Sequence, residues 1–310
     1  MSVVDLIGFG RDVGTRFALV GLLPGGVLAL FVLALVWSGA PGEAPDLDRI
    51  LDHARDLDGW AGGLLFLGLF VAALVLQPLQ LGLVRALEGY WPASLRALGR
   101  KRQERRRAAL ATVAAPRAER PSAADLAAMA DAESRLRRLY PSDPEWLLPT
   151  RLGNALRAAE TRAGEPYALD AVVAWPRLYP LLGDGVRAVV DDQRDSLDLA
   201  ARFCAVFAAA AAISLALLAS HEWWLLVPAG CLALAWLSYR GAVAAAVAYG
   251  EGIRSAIDLH RFDLLSALHL PLPATLEQER EVNDRLSLFL RQNWPADFTY
   301  DHAAGEAEQA

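Results

Sequence analysis

The side chains able to do chemistry are few in this chain, and their spacing decides what each can do. His53, His221, His260, His269 and His302 are scattered over 310 residues. No HExxH, CxxC, GxSxG or GxxxxGK[ST] pattern occurs. The spacings that metal-assisted hydrolysis, dithiol exchange, acyl transfer to serine and phosphate cradling require are therefore missing. The densest reactive run is Asp258-Leu259-His260-Arg261-Phe262-Asp263, where an imidazole among carboxylates has the parts of an acid–base pair. Mixed charges at this density are also what a solvated helix face carries, and that is the reading adopted. Cys204 and Cys231 lie in long apolar runs, roughly 25 Å and 15 Å along the helix axis from the turn at His221. A disulfide does not tolerate that offset, so both are read as small packing residues. No catalytic residue, metal site or cofactor is expected.

Two further polar sets stand out because their neighbours are apolar. The first is Pro24-Gly25-Gly26 in one apolar run and Gln77, Pro78 and Gln80 in the next. Counted from the ends nearer the basic residues, both prolines lie about seven residues in, or roughly 10 Å. Two kinks at one depth make a candidate hinge or constriction. Against this, neighbouring helices can satisfy the carbonyls a membrane proline frees, and the glutamines can hydrogen-bond between helices. The second set is Arg151, Asn154, Glu160, Asp170 and Arg177. It is read as a polar network, structural before ligand-binding.

The elements that must position these residues are set by apolar length. Residues 17–37, 62–84, 199–219 and 223–250 each reach the roughly 20 residues that a membrane-crossing helix needs. The last two are joined only by Ser220, His221 and Glu222 and form a hairpin. Apart from Arg240 in the last run, no Asp, Glu, Lys, Arg or His sits centrally in any of the four. Proton-coupled transporters, voltage sensors and intramembrane hydrolases need such residues, so those classes are excluded. Arg11 and Arg16 before the first run, and Ser38-Gly39-Ala40 after it, imitate a signal peptide. The run is longer than a signal core and Pro41 follows the cleavage-like site, so it is read as a retained span.

Charge orients the spans. The formal net charge of −6 is sorted along the chain rather than blended. The first connection holds Glu43, Asp46, Asp48, Asp52, Asp56 and Asp58 against Arg49 and Arg55, whereas Arg85, Arg96 and the basic run 100–107 follow the second span. Basic residues near span ends stay cytoplasmic, which sets both termini and the middle segment inside. Trp37, Trp60, Trp223 and Trp224 suit the outer interface, and Tyr90 and Trp91 the inner one. The run 100–107 lacks interleaved aromatics and adjoins a membrane exit, so it is read as a topology determinant near anionic headgroups. Nucleic acid is not an expected partner. Lys101 is the only lysine among 30 Lys and Arg, a bias that fits a GC-rich bacterial genome.

The expected fold is an all-α membrane protein with four transmembrane helices, both termini inside, in four segments. Residues 1–91 form an N-terminal hairpin, 92–185 a helical cytoplasmic domain, 186–272 a long helical hairpin and 273–310 a final helix and tail. Helices are predicted over 94–113, 122–139 (Ser122 to Asp125 as a capping box) and 151–162 capped by Thr150. Residues 167–173 read as a strand or a helical turn. Pro176 and Pro180 exclude a regular helix over 175–182. Neither Gly nor Pro interrupts 186–219, so the third span continues a helix that starts in the cytoplasm, and the fourth runs on toward Pro271. Antiparallel pairing then sets Asp191 and Asp192 near Arg254, and Arg187 near Glu251 and Asp258. Small residues recur at spacing four in Ala205 and Ala209, in Ala208 and Ala212, and in Ser238, Ala242, Ala246 and Gly250. Such ridges allow close helix approach, and Gly230, Ala233, Gly241 and Ala245 extend them to other faces.

Leu148-Pro149-Thr150-Arg151-Leu152-Gly153-Asn154, Ala159-Glu160, Tyr167, Asp170 and Trp175 to Leu181 resemble a family of uncharacterised multi-pass bacterial membrane proteins found in actinobacteria and cyanobacteria. Tyr239-Arg240-Gly241-Ala242-Val243, Tyr249-Gly250 and the run 258–263 extend the resemblance, which covers roughly 147–270. It implies a membrane fold and no catalytic residues. The expected function is a non-enzymatic, self-associating protein of the inner (plasma) membrane, in contact with the lipid bilayer, with an ion-permeable homo-oligomer as its extended form. The alternative is a membrane-anchored scaffold whose cytoplasmic domain recruits a protein partner.

Overall fold

The computed structural model describes residues 23–116, 122–291 and 297–301, leaving aside the side chains of 76–81. Arg11, Arg16, the opening of the first span at 17–22, His302 and the tail at 305–310 fall outside the described residues. Among those described, every regular element is helical and none is a strand. Two compact units emerge, each built from separate stretches: Met1–Tyr90 with Asp195–Ala242, and Trp91–Arg194 with Val243–Ala310.

The first unit holds α1 (Leu23–Trp37), α2 (Leu47–Arg55), α3 (Gly59–Glu88) and the apolar parts of α8 (Asp184–Leu218) and α9 (Leu226–Ala267). Helices α8 and α9 have 35 and 42 residues and are long and apolar enough to cross a membrane. A third such element exists if α2 and the start of α3, bent by 117°, count as one span; α1 is a shorter apolar helix. Leu28 of α1 packs with Val206, Ala210 and Ala211 of α8 and Cys231 of α9. Both cysteines are free and buried, as packing residues should be. Phe66 is 72% exposed and Trp223 85% exposed, apolar surface compatible with membrane association.

One element of this unit lies outside the sequence reading. The acidic connection contains a helix, α2, because Asp46 caps it by accepting from Asp48 N at 2.9 Å. Its His53 ring stacks on Trp37 with centroids 5.5 Å apart. The small-residue ridges divide by face: Ala205 is buried, Ala208 and Ala212 are exposed, and so are Gly230, Ala233 and Gly241. Helix α3 starts at the Asp58 cap, which accepts from Ala61 N at 2.7 Å, and runs past Pro78 without a break. It stops where Gly89 takes φ +106°, a left-handed turn that costs glycine nothing.

The second unit contains α4 (Ala93–Ala114), α5 (Ala123–Leu139), α6 (Arg151–Arg162), α7 (Ala171–Leu178), the charged parts of α8 and α9, and α10 (Leu276–Leu290). Local signals start the helices. Ser122 and Asp125 form a reciprocal capping box, Thr150 Oγ1 accepts from Gly153 N at 3.0 Å, and Thr275 Oγ1 accepts from Gln278 N at 3.3 Å. The core gathers Leu178 and Leu182 with Ile253, Ile257, Leu264 and Leu265 of α9 and Leu286 of α10. Gly250 faces Ala159 so closely that a Cβ there would lie 2.8 Å from the alanine methyl.

The proline-cut stretch corrects the expectation of no helix at 175. Helix α7 forms with Pro176 inside it, because Asp170 caps it through Val172 N and so short a helix loses a single ladder bond to the proline. Residues Tyr179–Leu181 then tighten into a 3-10 turn. Residues 167–173 hold no strand; they are the end of the 3-10 turn Glu165–Tyr167, left-handed Ala168 and the start of α7, the helical alternative in two pieces. The expected cross-stalk ion pairs are also replaced. Arg254 meets Glu251 on its own helix at 3.1 Å, while Arg187 donates to the carbonyls of Pro180 and Leu182 at 2.9 and 3.1 Å. The chain between α7 and α8 supplies those nearer acceptors, which a two-helix picture lacks.

Candidate functional site

A cleft of about 800 Å3 opens in the second unit between α4, the loop before α6, α6, α7 and α10. Its apolar floor includes Leu147, Leu169, Ala171 and Leu288. Charge of both signs surrounds this floor: Arg96, Arg100, Arg157 and Arg291 against Glu145, Glu160, Asp170 and Asp284. Several are engaged. Arg157 meets Glu160 at 3.1 Å, Arg291 meets Asp170, and Arg100 holds Glu104 and the Pro144 carbonyl at 3.2 Å. The carboxylates of Glu145 and Asp284 have no partner among the described residues. The Nε of Arg157 is buried with no acceptor, and an orphaned buried donor costs about 1–3 kcal/mol.

The five residues expected as one network separate into three roles. Asn154, fully buried, exchanges two 2.8 Å bonds with the Leu148 backbone and donates to Thr150 O at 2.7 Å, pinning the loop into α6. Glu160 and Asp170 line the cleft; Asp170 N donates to Ser287 Oγ at 2.9 Å, joining the α7 cap to α10. Arg151 and Arg177 are exposed, and Arg177 returns to Val173 O on its own helix. Of the membrane set, Pro24 and Gly25 are buried and Gly26 is half-buried with open space beside it. Gln77, Pro78 and Gln80 are helical, and their side chains fall outside the described residues.

A well-buried ion pair escaped sequence reasoning. Arg261 was expected on a solvated face, yet its Nε meets Glu279 Oε1 at 2.7 Å and its guanidinium stacks 4.2 Å from the Tyr167 ring centroid. Tyr167 Oη donates to Asp258 at 2.9 Å, and Asn283 Nδ2 donates to Tyr167 O at 3.0 Å. This knot ties the Glu165–Tyr167 turn, α9 and α10 together. The usable signal was a glutamate in the first turn of a helix with an arginine among large apolar residues. On the other side, Tyr179 Oη donates to Asp191 at 2.7 Å, beneath Arg187. Burial and then the bond to Asp258 hold Tyr167 above the usual tyrosine range; the bond to Asp191 and then burial do so for Tyr179. Near α6, burial pulls Arg162 down although Glu165 opposes it, and Arg162 Nε donates to Tyr140 O at 3.0 Å. His260 pairs with Asp263 at 2.7 Å. Among the described residues, no group of three or more His, Cys, Asp or Glu could hold a metal ion.

Comparison with protein-family models, with curated proteins and with solved structures finds no match to this chain.

Proposed function

We propose that this chain is a non-enzymatic integral protein of a bacterial inner membrane that binds a cytoplasmic protein partner at the charged cleft. In this reading the membrane is crossed four times, with both termini inside. The supporting observation is the cleft itself, where two unpartnered carboxylates and an orphaned guanidinium nitrogen border an apolar floor. A segment carrying cations around an apolar anchor would pair with both carboxylates and cover the floor, which small ionic ligands would leave wet. The test is in-cell photo-crosslinking from Val172, which is 56% exposed at the cleft. A discrete heavier adduct that disappears with Asp284→Arg is expected. No adduct, or one indifferent to that substitution, sinks the reading.

Self-association is the second reading, supported by the outward Ala208, Ala212, Gly230 and Ala233. A monomeric mass in both mild detergent and nanodiscs would count against it. Ion permeability has less behind it. The groove of about 910 Å3 in the first unit is lined by apolar side chains and glycine, including Leu28, Val32, Leu64, Gly68 and Ile213. A single copy gives an ion no polar path there, so flux into liposomes would have to arise between copies.

A further inference from the structure

Helix α4 carries six arginines and Lys101 against Glu104 as its one carboxylate, and the structure separates its two faces. One face is used within its unit. Gln103 is buried against Tyr140, Arg107 donates to Ser142 O at 3.5 Å, and a Cβ on Gly99 would lie 3.0 Å from Pro149 O. At 100° per residue, Leu98, Lys101 and Arg105 point away from that face with Arg102 beside them, while Leu95 and Arg106 fall next to Gly99 at the edge of the packed face. All six are exposed, Leu95 at 56% and Leu98 at 70%. No carboxylate pairs with Lys101, Arg102, Arg105 or Arg106 among the described residues. Clustered unpaired cations with an exposed leucine among them suit a surface of anionic headgroups.

We propose that this outward face of α4 docks on anionic phospholipid headgroups at the membrane surface through Lys101, Arg102 and Arg105, with Leu98 entering the headgroup boundary. Charge complementarity and chain continuity select this occupant. Only residues 89–92 separate the end of α3 from the start of α4, a reach of about 14 Å at most. Arg96 further ties the first turn of α4 to the link by donating to Trp91 O at 3.2 and 3.0 Å. The docking rests on α3 crossing the bilayer, part of the reading above. It adds that the unit carrying the cleft is held against the surface in a way that depends on lipid charge.

The test uses the full chain with Cys204→Ala and Cys231→Ala and a fluorophore at Leu98→Cys. It is reconstituted in nanodiscs of zwitterionic lipid alone or with one-third anionic phospholipid. In anionic discs the probe is expected to be quenched from the lipid and shielded from an aqueous quencher; in zwitterionic discs, or in high salt, the pattern reverses. Neutralising Lys101, Arg102 and Arg105 to Gln should lower the bound-to-free ratio about a hundredfold, at roughly fivefold per cation near such a surface. The salt titration of the unneutralised chain needs no folding of that variant. Equal aqueous access in both lipids overturns the proposal, as does unchanged shielding in the Gln variant or release of the helix by stoichiometric RNA. Failure of the chain to enter discs at all would instead strike the spanning reading.

Discussion

Glu279 and Arg261 show how much one residue decides here. The carboxylate side chain is 5% exposed and the guanidinium 19%, so Glu279→Ala strands a half-buried cation between Tyr167 and Phe262. A loss of about 3 kcal/mol is expected, visible as a lowered thermal midpoint in detergent. Glu281→Ala, at an exposed pair, should change it little. The two raised phenols make a second expectation. Because the folded chain holds the Tyr167 and Tyr179 protons more tightly than the unfolded chain, their stabilisation is complete below the ordinary value of 10.0. It is lost as pH rises through the folded values. The midpoint should be level up to about pH 10 and fall beyond it, with the fall blunted in Tyr167→Phe/Tyr179→Phe. An identical fall in the double variant would assign the alkaline loss elsewhere.

Helices meet through small residues, and only some of those positions are committed. Gly250 lies against Ala159, whose methyl cannot swing aside, whereas the nearest atom to a Cβ on Gly252 is the movable end of Gln193. Gly250→Ala should therefore destabilise the α6–α9 contact by about 1–3 kcal/mol, while Gly252→Ala is close to neutral. Equal midpoints for the two would show that α6 does not pack on α9 through this site. Element starts were legible because caps act within three residues: Ser122, Thr150 and Thr275 bond to backbone that follows at once. The helix through Pro176 and the helix at 47–55 were not. The first survives because a short helix spends few bonds on its proline. The second is amphipathic but buries nothing, so its length and cap carry a signal that the surrounding acidic run conceals.

At the scale of the molecule, two or three helices among the described residues are long and apolar enough to span a membrane by length and composition, and the proposed topology has four. Single cysteines at Ala44 and His221 should react with an impermeant reagent from outside intact cells, and one at Arg105 only after permeabilisation. Labelling of Arg105 from outside, or of Ala44 only after lysis, would refute four spans with both termini inside. By itself the sequence determined the helical class, the long uninterrupted α8 and α9, the caps and the absence of known catalytic patterns. Those are properties of composition and of neighbours within about four residues. Only the tertiary structure decided which polar groups meet. Arg261 finds Glu279 across 18 residues, Tyr167 finds Asp258 across 91, and Asp170 finds Ser287 and Arg291 across 117 and 121. Pairings at such separations follow from how apolar helix faces pack, and local periodicity does not encode them. The cleft that carries the proposed function is joined by the last two of these, Asp170 with Ser287 and with Arg291.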